Sequence, residues 1–197
     1  WMDWGKDHYA TVTFDNAPDG RHVALPWMSN WQYAAQVPTK QYRSANGIPR
    51  DLGYFEYQGQ GYCSVKPSPE VLNAFSKKPQ ASLTAACRVD VQLRGNSVIT
   101  LANGKGESVT MTYNAKTETF AMDRTKSGKT DFSTDFPALT KAPTYGKIKT
   151  LQIFIDKSSI EVFDADGKMA MTNIVFPTEP YNRLTVKGGK AKIYSLK

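Results

Sequence analysis

The sequence predicts an all-β chain, and three observations carry that prediction. Apolar residues recur at every second position, strand-like runs are short and evenly spaced, and Gly, Asn and Asp punctuate them. Leu83, Ala85, Cys87, Val89, Val91 and Leu93 alternate with polar residues, so one face of that run is buried and Cys87 lies on it. Val109, Met111 and Tyr113 alternate with Ser108, Thr110 and Thr112 in the same way. Leu151, Ile153 and Ile155 form a further face; after the polar turn Asp156–Ser159, Ile160 and Val162 continue it, which reads as a hairpin. Asp166-Gly167 marks another tight turn before Met169 and Met171, and Ile174, Phe176, Leu184, Val186 and Ile193 complete the series. These strands predict a β-sandwich from about residue 80 onward.

One helix is expected. Ser68 can cap it, Pro69 suits its first position, Glu70 favours its positive end, and Val71, Leu72 and Phe75 give it an apolar face. With the stretch Gln58-Gly59-Gln60-Gly61 before it, this helix reads as a connector. The aromatic-rich region ahead of it carries strand-like runs at Tyr9–Phe14 and His22–Trp27. About 55 residues with two or three strands cannot bury their own faces, so this region is expected to belong to a larger sheet assembly. The expected division is therefore 1–57, a linker 58–79 with a short helix, and a sandwich 80–197. Because the chain opens on Trp1, already in strand-like pattern, the N-terminus is read as cut from something longer.

Composition narrows the function. The chain has 197 residues, 40% hydrophobic and 12% aromatic, enough to bury a core. The net charge of +7 is spread along the chain without a basic run, so no nucleic-acid partner is expected. No apolar run reaches the roughly 18 residues of a membrane span. Two cysteines (Cys63, Cys87) and two histidines (His8, His22) make neither a disulfide framework nor a metal site, so no metal and no cofactor is expected. Phosphate-loop, dinucleotide and serine-elbow motifs are missing. Gly104-Lys105-Gly106 lies between strands and reads as a hairpin tip.

Two stretches suit a carbohydrate. In Asp3-Trp4-Gly5-Lys6-Asp7 a carboxylate and an ammonium stand three residues apart across a glycine; if the glycine turns, both can converge on a diol, the one accepting from hydroxyls and the other donating. The bland alternative is a solvated ion pair. In Trp27-Met28-Ser29-Asn30-Trp31-Gln32-Tyr33 flat rings can cover sugar C–H faces while amides meet hydroxyls; the alternative is an aromatic core cluster. Arg43 and Arg50 fit either a site or a structural ion pair. Asp3, Asp7, Asp51 and Glu56 offer carboxylates, but no spacing singles out a catalytic pair.

Asp3-Trp4-Gly5-Lys6-Asp7-His8-Tyr9-Ala10 with Thr13-Phe14 resembles a segment of glycoside hydrolase family 32, the levanases, inulinases and invertases that cleave β-fructofuranosides. Gly20-Arg21, Trp27–Trp31, Tyr33-Ala34, Pro38-Thr39, Arg43-Ser44 and Ile48-Pro49-Arg50-x-Leu52 follow in the family's order. Asp156–Phe163, Asp166-Gly167, Thr172 and Ile174-x-Phe176-Pro177 are similar to its C-terminal hairpin. The resemblance implies a five-bladed β-propeller followed by a β-sandwich, of which this chain supplies the last part of the propeller, the linker helix and the sandwich. It implies that the catalytic acids of a retaining glycosidase lie in earlier blades, since their motifs do not occur here; retention needs two carboxyls about 5–5.5 Å apart. No residue here is then catalytic, and the chain alone is expected to be inert. The roles it implies are substrate contacts: Asp3 and Lys6, with Trp27 at the pocket wall and Trp31 as second choice. His8, Leu25-Pro26 and Tyr42 depart from the family's usual Phe, Ile-Gly and Trp.

The implied partners are a fructan or fructo-oligosaccharide and the missing N-terminal propeller portion, with self-association through an exposed apolar propeller face. The implied location is secreted or periplasmic, since polymeric fructans are extracellular. The competing reading is a free-standing carbohydrate-binding β-sandwich, which requires an exposed aromatic platform on the sandwich, for which Tyr113, Phe120 and Tyr145 are the candidates.

Overall fold

A computed structural model describes residues 1–197. The chain is all-β, with thirteen strands in two antiparallel sheets. The first sheet contains β1 (Tyr9–Thr13), β2 (His22–Met28), β3 (Ala45–Asn46), β4 (Arg50–Tyr57) and β5 (Gln60–Pro67). Its order is β1-β2-β4-β5, with β3 also pairing β2. A short helix, α1 (Pro69–Asn73), leads to the second sheet: β6 (Cys87–Ala102), β7 (Ser108–Asn114), β8 (Thr119–Lys126), β9 (Leu139–Pro143), β10 (Thr150–Asp156), β11 (Ser159–Asp164), β12 (Ala170–Ile174) and β13 (Arg183–Ser195).

β6 is the spine of the second sheet. Its first half, Cys87–Gln92, pairs with β10, and its second half, Ser97–Ala102, pairs with β7. β13 runs along almost the whole of its other edge. Because the two halves carry different neighbours, the sheet folds over itself into a nearly closed, barrel-like layer. The alternating residues read from sequence line its interior: Val89, Val91, Val109, Met111, Leu151, Ile153, Ile160 and Val162 belong to one core, and Cys87 lies among them as a free thiol.

The first sheet has no core of its own. Met28, Tyr33 and Val37 pack against Phe136, Ile174 and Phe176 from the second region, and Val65 and Phe75 pack against Phe154, Phe163 and Ala170. Each fully buried side chain of this size contributes roughly 1.5–3 kcal/mol, so these two clusters hold the sheets together.

Three local expectations differ from the structure. Gln58-Gly59 is a hairpin turn, and Gln60 opens β5, which pairs along β4 from Tyr57↔Gln60 to Arg50↔Pro67. Gln58 (φ 51°) and Gly59 (φ 77°) both take the left-handed conformation of a tight two-residue turn, so these residues tie two strands where a linker was expected. The run from Leu83 enters the sheet only at Cys87, since the preceding segment lies beside the end of β13, where Gln80 N–H donates to Ile193 C=O. Ser68 precedes α1 as expected, but its hydroxyl donates to Asp51 rather than capping the helix.

Candidate functional site

The segment Asp3–Asp7 lies along the free edge of β12 like an added strand. Trp4 N–H donates to Ala170 C=O and Asp7 N–H to Thr172 C=O. The return bonds go to side chains: Thr172 N–H donates to Asp3 Oδ1 (2.8 Å) and Ile174 N–H to Asp7 Oδ2 (2.9 Å). Two carboxylates thus satisfy edge N–H groups that would otherwise be buried without a partner. Gly5 is required by closeness: a Cβ there would stand 1.9 Å from Thr172 O.

Behind this edge lie two buried ionic clusters. In the first, Arg50 Nη1 donates to Asp3 Oδ2 (2.8 Å) and Arg50 Nη2 to Glu161 Oε2 (2.6 Å), while the guanidinium stacks on the Phe163 ring. Thr172 Oγ1 donates to Asp3 Oδ2, and Ile48 N–H donates to Glu161 Oε1. His8 completes it: Arg50 donates to Nδ1, which leaves Nε2–H to donate to Thr11 Oγ1. In the second, Arg124 Nη1 and Tyr33 Oη both donate to Asp7, and the Arg124 guanidinium lies 4.0 Å from the Phe136 ring centroid.

Their electrostatics follow from enclosure and from the count of charges. Burial pushes the Asp3 carboxyl up, but Arg50, His8 and Thr172 outweigh it and hold it below its usual value. Burial pushes Glu161 up to about 7, and the nearby Asp3 charge adds to this against the pull of Arg50 and the Ile48 N–H. One guanidinium faces two carboxylates, so the second carries the excess negative charge. Burial also lowers His8 to about 4, so it is neutral at pH 7. Asp7 is raised, with burial outweighing Arg124 and Tyr33.

The structure separates the four residues singled out from sequence. Asp3 is 6% exposed, and both its oxygens are engaged by the protein. Lys6 points elsewhere: its Nζ donates to Asp135 C=O (2.5 Å) and lies over the Tyr33 ring. Trp27 and Trp31 do meet, with ring centroids 5.0 Å apart, and Trp31 is 74% exposed. Trp27 Nε1–H donates to Ser44 Oγ, and Tyr9 meets its ring edge-on at 6.2 Å. A bulge at Ala10–Thr11 brings Tyr9 opposite Trp27. Pro26 stays within β2, opposite that bulge, where the ladder is already interrupted. Tyr9, Trp27 and Trp31 therefore form an open aromatic surface, while Tyr33 from the same run is buried. Tyr9 escaped sequence reasoning because only the bulge aims it there.

Glu161 and Arg124 also escaped it. A signal existed for Glu161: Phe154 and Phe163 stand on the face of β10 and β11 that simple alternation assigns to solvent, which marks that face as covered. Of the rings considered for a sandwich platform, Tyr113 and Phe120 lie in the core, and only Tyr145 reaches the surface.

Residues 58–197 match the family model described as glycosyl hydrolases family 32 C terminal, and residues 1–65 match that of the family 32 N-terminal domain. The chain belongs to glycosyl hydrolase family 32. It is 31% identical to a levanase of Bacillus sp. (strain L7) over 98% of this chain and 24% of the levanase. It is likewise 31% identical to an extracellular exo-inulinase of Aspergillus niger, over 96% of this chain and 40% of the relative. The crystal structure of exo-inulinase from Aspergillus awamori superposes with a TM-score of 0.87 at 27% identity, covering 100% of this chain and 44% of that one. This family 32 chain thus spans about a quarter to two fifths of the length of these curated relatives.

Proposed function

We propose that this chain is the C-terminal part of a hydrolase acting on β-fructofuranosides of the levan, inulin or sucrose type. The observation that carries the proposal is the superposition of the entire chain on less than half of an exo-inulinase. In this reading residues 1–57, extended by β5 up to Pro67, are the last part of a five-bladed propeller, and residues 80–197 are the supporting sandwich. The catalytic carboxylates belong to the earlier blades. Three buried carboxylates support this: Asp3, Asp7 and Glu161 are bonded to the protein, so none is free to attack or protonate a sugar.

Trp27 and Trp31, joined by Tyr9, form the wall against which the sugar's C–H faces rest. Lys6, whose Nζ donates to Asp135 C=O, keeps further N–H donors that a sugar hydroxyl can accept from. Asp3 acts from behind, fixing the strap that carries Lys6 and Tyr9. The relatives named as extracellular support a secreted or periplasmic parent. Val12 on β1 and Phe14 just after it are exposed side by side, which supports a neighbouring blade or a second copy there.

The test is fructose release from levan, inulin and sucrose by the purified chain, alone and mixed with an N-terminal portion of a family 32 relative. No release alone and release on mixing supports the proposal; turnover by the chain alone overturns it. In the mixed system Trp31→Ala is expected to raise KM about tenfold with kcat little changed.

A further inference from the structure

At the tip of the β4–β5 hairpin a second group of aromatic side chains meets the second sheet. Phe55 and Tyr62, directly paired across the hairpin, stack at 5.3 Å with 21° between their planes. Tyr145, from the loop after β9, packs on Tyr62 at 4.4 Å and touches Phe55 and Tyr57 edge-on at 5.5 and 5.9 Å. None of the four rings is fully buried.

Polar side chains fix these rings with one atom and leave another free. Tyr57 Oη donates to Glu118 Oε2 (2.8 Å), which also accepts from Gly146 N–H. Gln58 Nε2 donates to Tyr57 Oη, and Tyr62 Oη donates to Gln60 Oε1 (3.0 Å). Glu118 Oε1, Gln58 Oε1 and Gln60 Nε2 have no partner in the chain, which leaves two acceptors and a donor at the rim of an aromatic surface. The backbone is held unusually here: Tyr145 has φ 48° and Glu118 φ 51°, conformations that cost a non-glycine residue free energy.

We propose that this cluster is a second carbohydrate-binding site, taking a short stretch of a neutral polysaccharide. Flat rings supply apolar contact for C–H faces, and the free amide and carboxylate atoms exchange hydrogen bonds with hydroxyls. The site is remote from Trp27 and Trp31. Ala24 is paired with Arg50, so Trp27 lies beyond the start of β4 while Tyr57 lies at its far end, roughly 30 Å away along the strand direction. A chain long enough to touch both would be held at a raised local concentration near the first surface. The inference concerns binding alone and stands whether or not the chain belongs to an active fructosidase.

The test is retardation in native gels containing levan or inulin, with dextran as a further neutral polymer. Tyr145→Gly removes the ring and suits the positive φ; Gln60→Ala changes only the exposed rim. Both are expected to weaken retardation about tenfold, with the melting temperature unchanged in Gln60→Ala, and Trp31→Ala is expected to leave residual binding that Tyr145→Gly then abolishes. No retardation by any of the three polymers, or binding lost with Trp31→Ala alone and untouched by the two hairpin-site variants, overturns the proposal. If Tyr145→Gly unfolds the chain, Gln60→Ala and Gln58→Ala decide the matter: weakened retardation in either supports the site, and full binding by both overturns it.

Discussion

Arg50 is the residue on which the contact between the two sheets turns. It is fully buried, and its fork reaches Asp3 on the N-terminal strap and Glu161 on β11 together. Arg50→Ala strands two buried carboxylates and is expected to destabilise by about 3–5 kcal/mol, read from chemical denaturation. Arg50→Lys should restore little of this, since an ammonium cannot bridge two carboxylates with the same planar fork. Glu161 gives the pH dependence. Its folded carboxyl keeps a proton up to about pH 7, whereas an ordinary one releases it near 4.5. Unfolding between these values therefore releases a proton, and stability falls as pH rises through that window. Glu161→Gln keeps the acceptor for Ile48 N–H, so the variant is expected to show a flattened melting-temperature profile between pH 4.5 and 7. Asp3 has the opposite sign: its carboxyl is held below 3.8, so its contribution is lost as pH falls below that value. An unaltered slope in Glu161→Gln would remove Glu161 as the titrating group.

At the scale of elements, the strap Asp3–Asp7 and β12 form one hydrogen-bonded unit in which side chains replace half of a ladder. Asp3→Ala is expected to speed amide exchange at Thr172 while leaving Val89 and Met111, deep in the other core, protected. Gly5→Ala forces a methyl into the Thr172 backbone and should detach the strap, lowering stability by several kcal/mol. Much of this is legible in the sequence. The spacing of Asp3 and Lys6 marks the segment as special, whereas the Gly between them reads in sequence as a turn and in the fold serves a close approach to Thr172. What sequence does not supply is the partner: the bonds to β12 span 167 and 169 residues along the chain, and local pattern carries no information on which edge a strap will meet. For the same reason Lys6 and Asp3, three residues apart, point to different partners.

At the scale of the molecule, a sheet without a core of its own lies against a folded-over sheet that has one. Its other side carries the exposed pair Val12, on β1, and Phe14, just after it. At high concentration this chain is expected to self-associate, and Val12→Lys with Phe14→Lys should shift it towards monomer in sedimentation velocity without loss of secondary structure. An unchanged distribution would place the contact elsewhere. The sequence by itself determined the all-β class, the inward faces of β6, β7, β10 and β11, and the family, because alternation is local and motifs are written in order. Only the tertiary structure decided that Asp3 and Asp7 satisfy a strand edge, that Tyr9 joins Trp27 and Trp31, and that Tyr145 gathers with Phe55, Tyr57 and Tyr62. Each of these depends on a bulge, a register or a contact between distant segments, and packing fixes those only when the whole chain has closed around them.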